Sequence, residues 1–105
     1  MKMSQYQKQN CVLCNRPSEY CLADYDKRKH FFCAYCTEYQ ITDTAEEKLK
    51  SAPEEWKAQY SAKARAIAPD LVLDIFVPGG MRNEGVAYAA LMGEPMPRDK
   101  LPRCR

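Results

Sequence analysis

The sequence lacks the features that identify most catalysts and membrane proteins. Its 105 residues include a single histidine, no serine in a nucleophile-elbow context and no pair of carboxylates at a suggestive spacing, so we predict that the chain is not an enzyme. No apolar run approaches the roughly 18 residues of a membrane span, and the longest covers residues 86–92. No internal repeat or low-complexity tract is present.

A strong excess of charge of one sign is also missing. The 16 basic and 14 acidic side chains leave a formal net charge of +2, whereas a dedicated nucleic-acid-binding domain usually carries a marked basic patch. The first ten residues have neither the apolar core nor the small-residue cleavage site of a signal peptide. We therefore expect a cytoplasmic protein without membrane contact, in which cysteine thiols stay reduced.

Cysteine is the residue in excess, with six in the chain. Four of them form two C-x-x-C pairs, Cys11 with Cys14 and Cys33 with Cys36, and 18 residues separate the pairs. A two-residue gap lets a tight turn aim two sulfurs at one point, so two such turns supply the four tetrahedral ligands of a zinc ion. Because four thiolates close the coordination sphere, we predict one structural Zn²⁺ and no catalytic metal.

Residues 11–41 resemble a zinc ribbon. The pattern is a cysteine turn, a strand at Tyr20–Tyr25, a turn at 26–29, a strand at His30–Phe32, the second cysteine turn, and a third strand at Glu38–Thr42. The resemblance implies a fold and no particular activity, since zinc ribbons occur in transcription factors, polymerase subunits, ribosomal proteins and adaptors. The cysteine spacing is also similar to the finger of bacterial polymerase regulators, but in that family a coiled coil precedes the finger, whereas here the predicted helices follow it.

Two other residues are weaker candidates for metal ligands. His30 lies three residues before Cys33, and we expect it to be a partly exposed strand residue. With Cys21 included, the spacing resembles the first five ligands of the fungal binuclear zinc cluster, but no cysteine stands at 43–45, where the sixth is needed. We therefore predict that Cys21 is a small buried strand residue. For Cys104 we expect an exposed thiol without an assigned role.

Two helices are predicted after the ribbon. Asp43 with Glu46 makes a capping box for a helix that ends near Lys50. Ser51 repeats the start signal for a second helix, which ends before Pro69. Four residues at helical spacing form one face of this second helix, and we expect them to pack into the core, with the only tryptophan against the ribbon or the later strand: Trp56, Tyr60, Ala64 and Ile67.

The run Leu71–Val77 is the clearest strand, and it is apolar on both faces, so Asp74 within it needs a basic side chain or backbone amides as a partner. A glycine pair follows, and then a helix predicted from Asn83 to a stop at Gly93. Strand, glycine turn and helix is a layout that holds phosphate, but without a G-x-G-x-x-G pattern we interpret it as a plain connection. The proline-rich segment after Gly93 predicts an extended, poorly ordered tail.

These patterns predict an α+β fold, in which an N-terminal zinc ribbon packs with two or three short helices and one further strand. The predicted divisions are a polar extension (1–10), the ribbon-like module (11–42), a helix–helix–strand–helix part packed on it (43–93) and a basic tail (94–105).

The functional hypothesis is a small non-catalytic regulator or adaptor that binds a protein partner. Tyrosine and tryptophan are favoured at interfaces, and four aromatic residues are candidates: Tyr25, Tyr35, Tyr39 and Trp56. The alternative is a nucleic-acid-binding regulator of transcription. Its contacts would come from the basic hairpin tip, formed by Lys27, Arg28, Lys29 and His30 beside aromatic side chains. The oligomeric state is not indicated.

Overall fold

The structure is a computed structural model that describes residues 6–23, 27–77 and 91–101. Within these ranges the strands and helices are, in chain order, β1 (Gln7–Asn10), β2 (Pro17–Ala23), β3 (Arg28–Cys33), β4 (Thr37–Thr42), α1 (Asp43–Lys50), α2 (Glu54–Ala66), β5 (Leu71–Phe76) and β6 (Met92–Pro97). A short 3₁₀ turn, Arg98–Lys100, follows β6. The predicted turn at Gly79–Gly80, most of the third helix, Tyr25 and Cys104 lie outside the described residues.

The six strands form one sheet whose spatial order is the chain order, β1 to β6. Neighbouring strands are antiparallel except β4 and β5, which are parallel. A parallel pair needs a crossover connection, and α1 and α2 supply it while both contact β4 and β5. The α+β class predicted from the sequence is confirmed, with a larger sheet than expected.

The hairpin predicted inside the ribbon-like module forms the centre of the sheet. Tyr20 on β2 pairs with Phe31 on β3, which in turn pairs with Tyr39 on β4. The rings of Phe31 and Tyr39 stack in parallel, with centroids 5.1 Å apart. Cys21 pairs with His30, and because successive side chains of a strand point to opposite faces, these two lie on the face opposite the stacked rings.

The hydrophobic core lies between the stacked-ring face of the sheet and the two helices. Helix α1 contributes Leu49 and α2 contributes Ala64, which join Ile41 and Ile75 of the central strands. Each of these four side chains is at most 3% exposed. Burial of a large aliphatic side chain stabilises the fold by about 1.5–3 kcal/mol, so this layer fixes the helices over β4 and β5.

The helix starts differ from the predicted ones. Thr42 is the N-cap of α1, because its extended backbone leaves its Oγ1 to accept a hydrogen bond from the Ala45 amide at 3.2 Å. Asp43, predicted as the cap, is the first helical residue instead. Helix α2 begins after Pro53, without a side-chain cap, so the predicted cap at Ser51 is also wrong.

Glu46 is the second partner of the predicted capping box, and it has another role. It is 5% exposed, and its carboxylate accepts hydrogen bonds from Gln9 Nε2 at 2.9 Å and Lys29 Nζ at 3.2 Å. A buried carboxylate is stabilised only by such partners. Glu46 therefore links α1 to β1 and β3.

Both ends of the described chain are more ordered than the sequence indicated. The polar segment Gln7–Asn10 adds an edge strand to β2. Gly93, predicted to stop a helix, lies in β6 opposite Ile75. A Cβ at Gly93 would lie 2.9 Å from Cε1 of Tyr60, so glycine is needed there because α2 approaches closely. The two prolines of β6 are compatible with an edge strand.

Trp56 is 43% exposed, so the core position expected for it on the predicted apolar face is wrong. Helix α2 faces the core through Ser61 and Ala64, and Trp56 lies in its first turn, away from them. None of the helices in the described ranges is long and apolar enough to cross a membrane.

Strand β5 is covered on both faces, as its composition predicted. Val72, Leu73 and Ile75 are at most 1% exposed, and Asp74 is 7% exposed. Arg28 of β3 forms the ion pair that Asp74 requires.

Candidate metal centre

The four cysteines of the two C-x-x-C turns meet at one point. Cys11, Cys14, Cys33 and Cys36 are free, and their Sγ atoms all lie within 4.8 Å of one another. The sulfurs of Cys11 and Cys36 are 3.8 Å apart, and those of Cys14 and Cys33 are 3.5 Å apart. Metal–sulfur bonds of about 2.3 Å in a tetrahedron place sulfurs about 3.8 Å apart. The cluster therefore has the dimensions of a four-thiolate metal site.

The two cysteine turns share one backbone conformation. The residue that follows each turn has a positive φ, 62° at Asn15 and 74° at Thr37. Asparagine tolerates this conformation, whereas a β-branched threonine is strained in it. The Thr37 hydroxyl donates a hydrogen bond to the Ala64 carbonyl at 3.3 Å, which helps to hold the strained turn against α2. In each turn a backbone amide donates to the sulfur of the first cysteine, at 3.4 and 3.3 Å.

Two further side chains hydrogen-bond the sulfurs from outside the turns. The hydroxyl of Tyr39, on β4, accepts a hydrogen bond from the Val12 amide at 3.2 Å and lies 3.2 Å from the sulfur of Cys11. Either atom of this pair can donate while Cys11 is a thiol, and the hydroxyl donates when Cys11 is a thiolate. Ser61 of α2 lies with its Oγ 3.1 Å from the sulfur of Cys36. The site thus includes a residue from outside the ribbon-like module.

Burial and these hydrogen bonds separate the pKa values of the thiols. The pKa of Cys11 is lowered to about 5, chiefly by its hydrogen bond with Cys36 and also by the one with Tyr39, while burial opposes the shift. The same hydrogen bond, together with burial, raises the pKa of Cys36. Burial also raises the pKa of Cys33. Hydrogen bonds thus link the thiols of the cluster, and a metal ion would displace the protons of these bonds.

Cys21 is separate from this cluster. It is fully buried, as predicted, but it is disulfide-bonded, so the expectation of reduced thiols is met by the four free cysteines and not by Cys21. Because Cys21 lies on the opposite face of the sheet from Phe31, it cannot join the four free thiols. The fungal binuclear arrangement is thereby excluded.

The structure does not gather the predicted basic hairpin tip into a free cationic patch. Arg28 is ion-paired with Asp74, and the amino group of Lys29 lies 3.2 Å from a carboxylate oxygen of Glu46. Lys27 is exposed. Arg28 and Lys29 therefore both have carboxylate partners within the sheet, and the nucleic-acid contact stays a prediction.

His30 is not a metal ligand. It lies on the face of the sheet opposite the stacked rings and belongs to a polar network there. Gln40 donates to its Nδ1 at 2.8 Å, so its Nε2 donates to the carboxylate of Glu38 at 2.6 Å. Arg98 binds both carboxylate oxygens of Glu38 at 2.8 Å and the carbonyl of Pro69 at 3.0 Å. This network fastens the 3₁₀ turn to the sheet.

The predicted interface residues divide into two groups. Tyr35 and Trp56 are exposed, at 42% and 43%. Tyr39 is fully buried in the core, so its prediction as an interface residue is wrong, and its hydroxyl belongs to the metal centre instead. Its position in an alternating strand beside Ile41 was the one sequence signal for burial. The sequence analysis missed Ser61 as well.

Comparisons with protein-family models, with curated proteins and with solved structures give no match. The function is therefore argued from the residues and the geometry of this chain.

Removing the hydrogen bonds of Tyr39 and Ser61 is expected to weaken metal binding without abolishing it. Tyr39→Phe and Ser61→Ala should each lower the affinity for Zn²⁺ by about 10–100-fold, because such outer partners orient and stabilise the ligands. Competition with a chromophoric chelator measures the change. Tyr20→Phe and Ser51→Ala, whose hydroxyls lie away from the sulfurs, are the matched controls. Unchanged affinity in both test variants would contradict the assigned role.

Proposed function

We propose that this chain is a small non-catalytic interaction module, a regulator or adaptor, in which Cys11, Cys14, Cys33 and Cys36 hold one structural Zn²⁺ and which binds a protein partner. The observation that carries the proposal is the closed four-sulfur cluster, whose ligand atoms lie within 4.8 Å of one another. Four protein thiolates complete a tetrahedral site and leave no position for water or substrate.

Zinc is the metal that this ligand set favours. A tetrahedral site made only of thiolates is typical of zinc or of iron–sulfur proteins, and the hairpin that joins the two cysteine turns is the arrangement expected of a zinc ribbon. The stable charge state of Zn²⁺ suits a structural role, because the ion has no redox chemistry.

The engagement of polar side chains within the fold supports a structural role over catalysis. Both ring nitrogens of His30 are engaged, by Gln40 and by Glu38. The hydroxyls of Tyr39 and Ser61 are directed to sulfurs. A general base or nucleophile needs a group that can reach a substrate, and these groups are committed to the fold.

Exposed aromatic residues support a protein partner. Tyr35 and Trp56 are more than two-fifths exposed, one in a rigid metal-binding turn and the other at the start of α2. Tyrosine and tryptophan contribute disproportionately to protein interfaces. The nucleic-acid alternative relied on the hairpin tip, where Arg28 and Lys29 have carboxylate partners.

The proposal is tested by affinity capture with the zinc-loaded chain as bait, followed by mass spectrometry. Tyr35→Ala combined with Trp56→Ala should abolish retention of the specific partner, since both side chains are exposed and their loss leaves the core intact. Tyr6→Ala, which removes another exposed aromatic residue, should retain it. Zinc content of one ion per chain is measured on the same bait.

Two results would contradict the proposal. A partner that is lost after nuclease treatment indicates binding through nucleic acid. Turnover of a substrate by the zinc-loaded chain, abolished by His30→Ala or Ser61→Ala, would show that the chain is an enzyme.

A further inference from the structure

We propose that the partner is an acidic polypeptide and that it docks on an arginine–tyrosine patch formed by Arg16, Tyr35 and Arg65, beside the metal centre. This inference rests on the proposed function and names the chemistry of the partner and the surface that receives it.

Three separate elements converge to build the patch. Arg16 follows the first cysteine turn, Tyr35 lies within the second, and Arg65 is in the last turn of α2. The guanidinium carbon of Arg16 lies 4.0 Å from the centroid of the Tyr35 ring, and that of Arg65 lies 4.6 Å from it. All three residues are exposed. The metal centre and α2 thus hold two cations against one ring, on the surface and in a defined arrangement.

The two arginines of the patch differ from the other arginines of the described chain. Arg28 and Arg98 each have a carboxylate partner, whereas no carboxylate of the described residues is ion-paired with Arg16 or Arg65. A guanidinium carries five N–H donors, so donors remain on both groups for carboxylates of a partner.

A small cavity of about 190 Å³ adjoins the patch. Tyr35 and Arg65 border it, Leu13 and Ala58 give it apolar walls, and Glu54, whose carboxylate is paired with Lys57, also lines it. This volume suits a single apolar side chain. The surface therefore pairs an anchoring pocket with two fixed cations, the combination in which tyrosine and arginine contribute most to binding.

The arginine side chains of the patch are ordered before a partner binds, which favours binding. Ordering a flexible arginine on binding costs roughly 0.5–1.5 kcal/mol, and stacking on Tyr35 removes part of that cost before the partner arrives. Single-stranded nucleic acid is the less suitable ligand, because such ligands stack bases on aromatic rings. The Tyr35 ring is already stacked with guanidinium groups.

The test is an NMR titration of the zinc-loaded, ¹⁵N-labelled chain with a blocked octapeptide of alternating glutamate and leucine. Amides of residues 13–16, 34–36 and 58–65 should shift and saturate, and the matched glutamine–leucine peptide should leave them unchanged. Arg16→Gln and Arg65→Gln should each weaken binding about tenfold, because each removes a charge-assisted hydrogen bond.

Two pairs of variants test whether binding depends on the arginine–tyrosine patch or on positive charge elsewhere on the chain. Lys8→Gln and Lys100→Gln remove exposed cations elsewhere and should leave the affinity unchanged. Tyr35→Phe keeps the ring and should retain binding, whereas Tyr35→Ala releases both arginines and should weaken it.

Three outcomes overturn the inference. The first is that the acidic peptide leaves the patch amides unshifted in a chain that holds one zinc per molecule. This result refutes the acidic partner and leaves the proposed function standing. The second is a thymidine oligonucleotide that binds the patch as tightly as the acidic peptide. The third is a chain that binds no zinc, which refutes the proposed function on which the inference rests.

Discussion

Replacement of Cys33 by serine is expected to abolish metal binding and to unfold β1–β4 together with their packing on α2. Cys11, Cys33 and Cys36 belong to the same buried cluster as Phe31 and Tyr39, so the metal lies inside the core. Structural zinc contributes about 10–16 kcal/mol in small zinc-binding peptides, as much as the roughly 5–15 kcal/mol of net stability of a whole domain. Loss of the ion therefore removes more free energy than the rest of the fold has in reserve.

Far-UV circular dichroism and metal analysis by mass spectrometry measure this prediction, with the chelated wild-type chain beside the variant. Cys14→Ser should behave in the same way, although Cys14 is the most exposed of the four ligands. Cys21→Ser is the control for metal content, because it also removes a buried sulfur, and with it a disulfide, but should keep one zinc per chain. Native-like spectra of Cys33→Ser without metal would show that the core is stable without it.

The cysteine cluster was predictable because its spacing is a local geometric constraint. Two C-x-x-C turns joined by a hairpin can bring four sulfurs together with little help from the rest of the chain. The strands Leu71–Phe76 and Thr37–Thr42 were also predictable, the first from its run of apolar residues and the second from the alternation of Tyr39 and Ile41 with polar residues. The need of Asp74 for a basic partner followed from the same reasoning.

Strands β1 and β6 were not predictable from their own residues. Gln7–Asn10 is entirely polar, and Met92–Pro97 contains two prolines and a glycine. Neither has the alternation that indicates a strand. Each is extended because the free edge of its neighbour, β2 or β5, offers backbone hydrogen-bonding groups. Tertiary context of this kind decides edge strands, and a local pattern does not contain it.

In the structure the two parts predicted on either side of residue 42 meet at the metal centre. The ribbon-like module was predicted as one unit and the helices as another that packs on it. Ser61 of α2 lies 3.1 Å from the sulfur of Cys36, and the hydroxyl of Thr37 bonds the carbonyl of Ala64. No local pattern distinguishes Ser61 from the exposed polar residues of the same helix, so it was not predicted as a site residue. The metal centre is thus the junction of the two parts.

The buried ion pair of Arg28 and Asp74 carries the second large expected effect. Asp74→Ala should lower the free energy of unfolding by about 2–4 kcal/mol. Removing one partner of a buried pair costs roughly 3–5 kcal/mol because it leaves an uncompensated charge, and the 22% exposure of the Arg28 side chain moderates that cost. Urea denaturation at saturating zinc measures the change.

The pKa of Asp74 indicates how the pair should respond to a double replacement. Burial raises this pKa above its ordinary value, Arg28 opposes the rise, and Glu94 adds to it. For an acid whose folded pKa is raised, the stabilisation is fully present below the unfolded pKa and is lost as the pH rises through the folded pKa. At neutral pH burial and the nearby Glu94 charge together therefore cost the Asp74 carboxylate more than its attraction to Arg28 returns.

Arg28→Met combined with Asp74→Leu should consequently restore most or all of the stability lost in Asp74→Ala, since apolar residues of similar volume often replace buried pairs without loss. The double variant should also lose the part of the pH dependence that Asp74 contributes. A double variant less stable than Asp74→Ala would mean that the attraction outweighs the desolvation. In that case the ion pair of Arg28 and Asp74 would contribute net stability, and this contribution would account for the burial of two charged residues in β3 and β5.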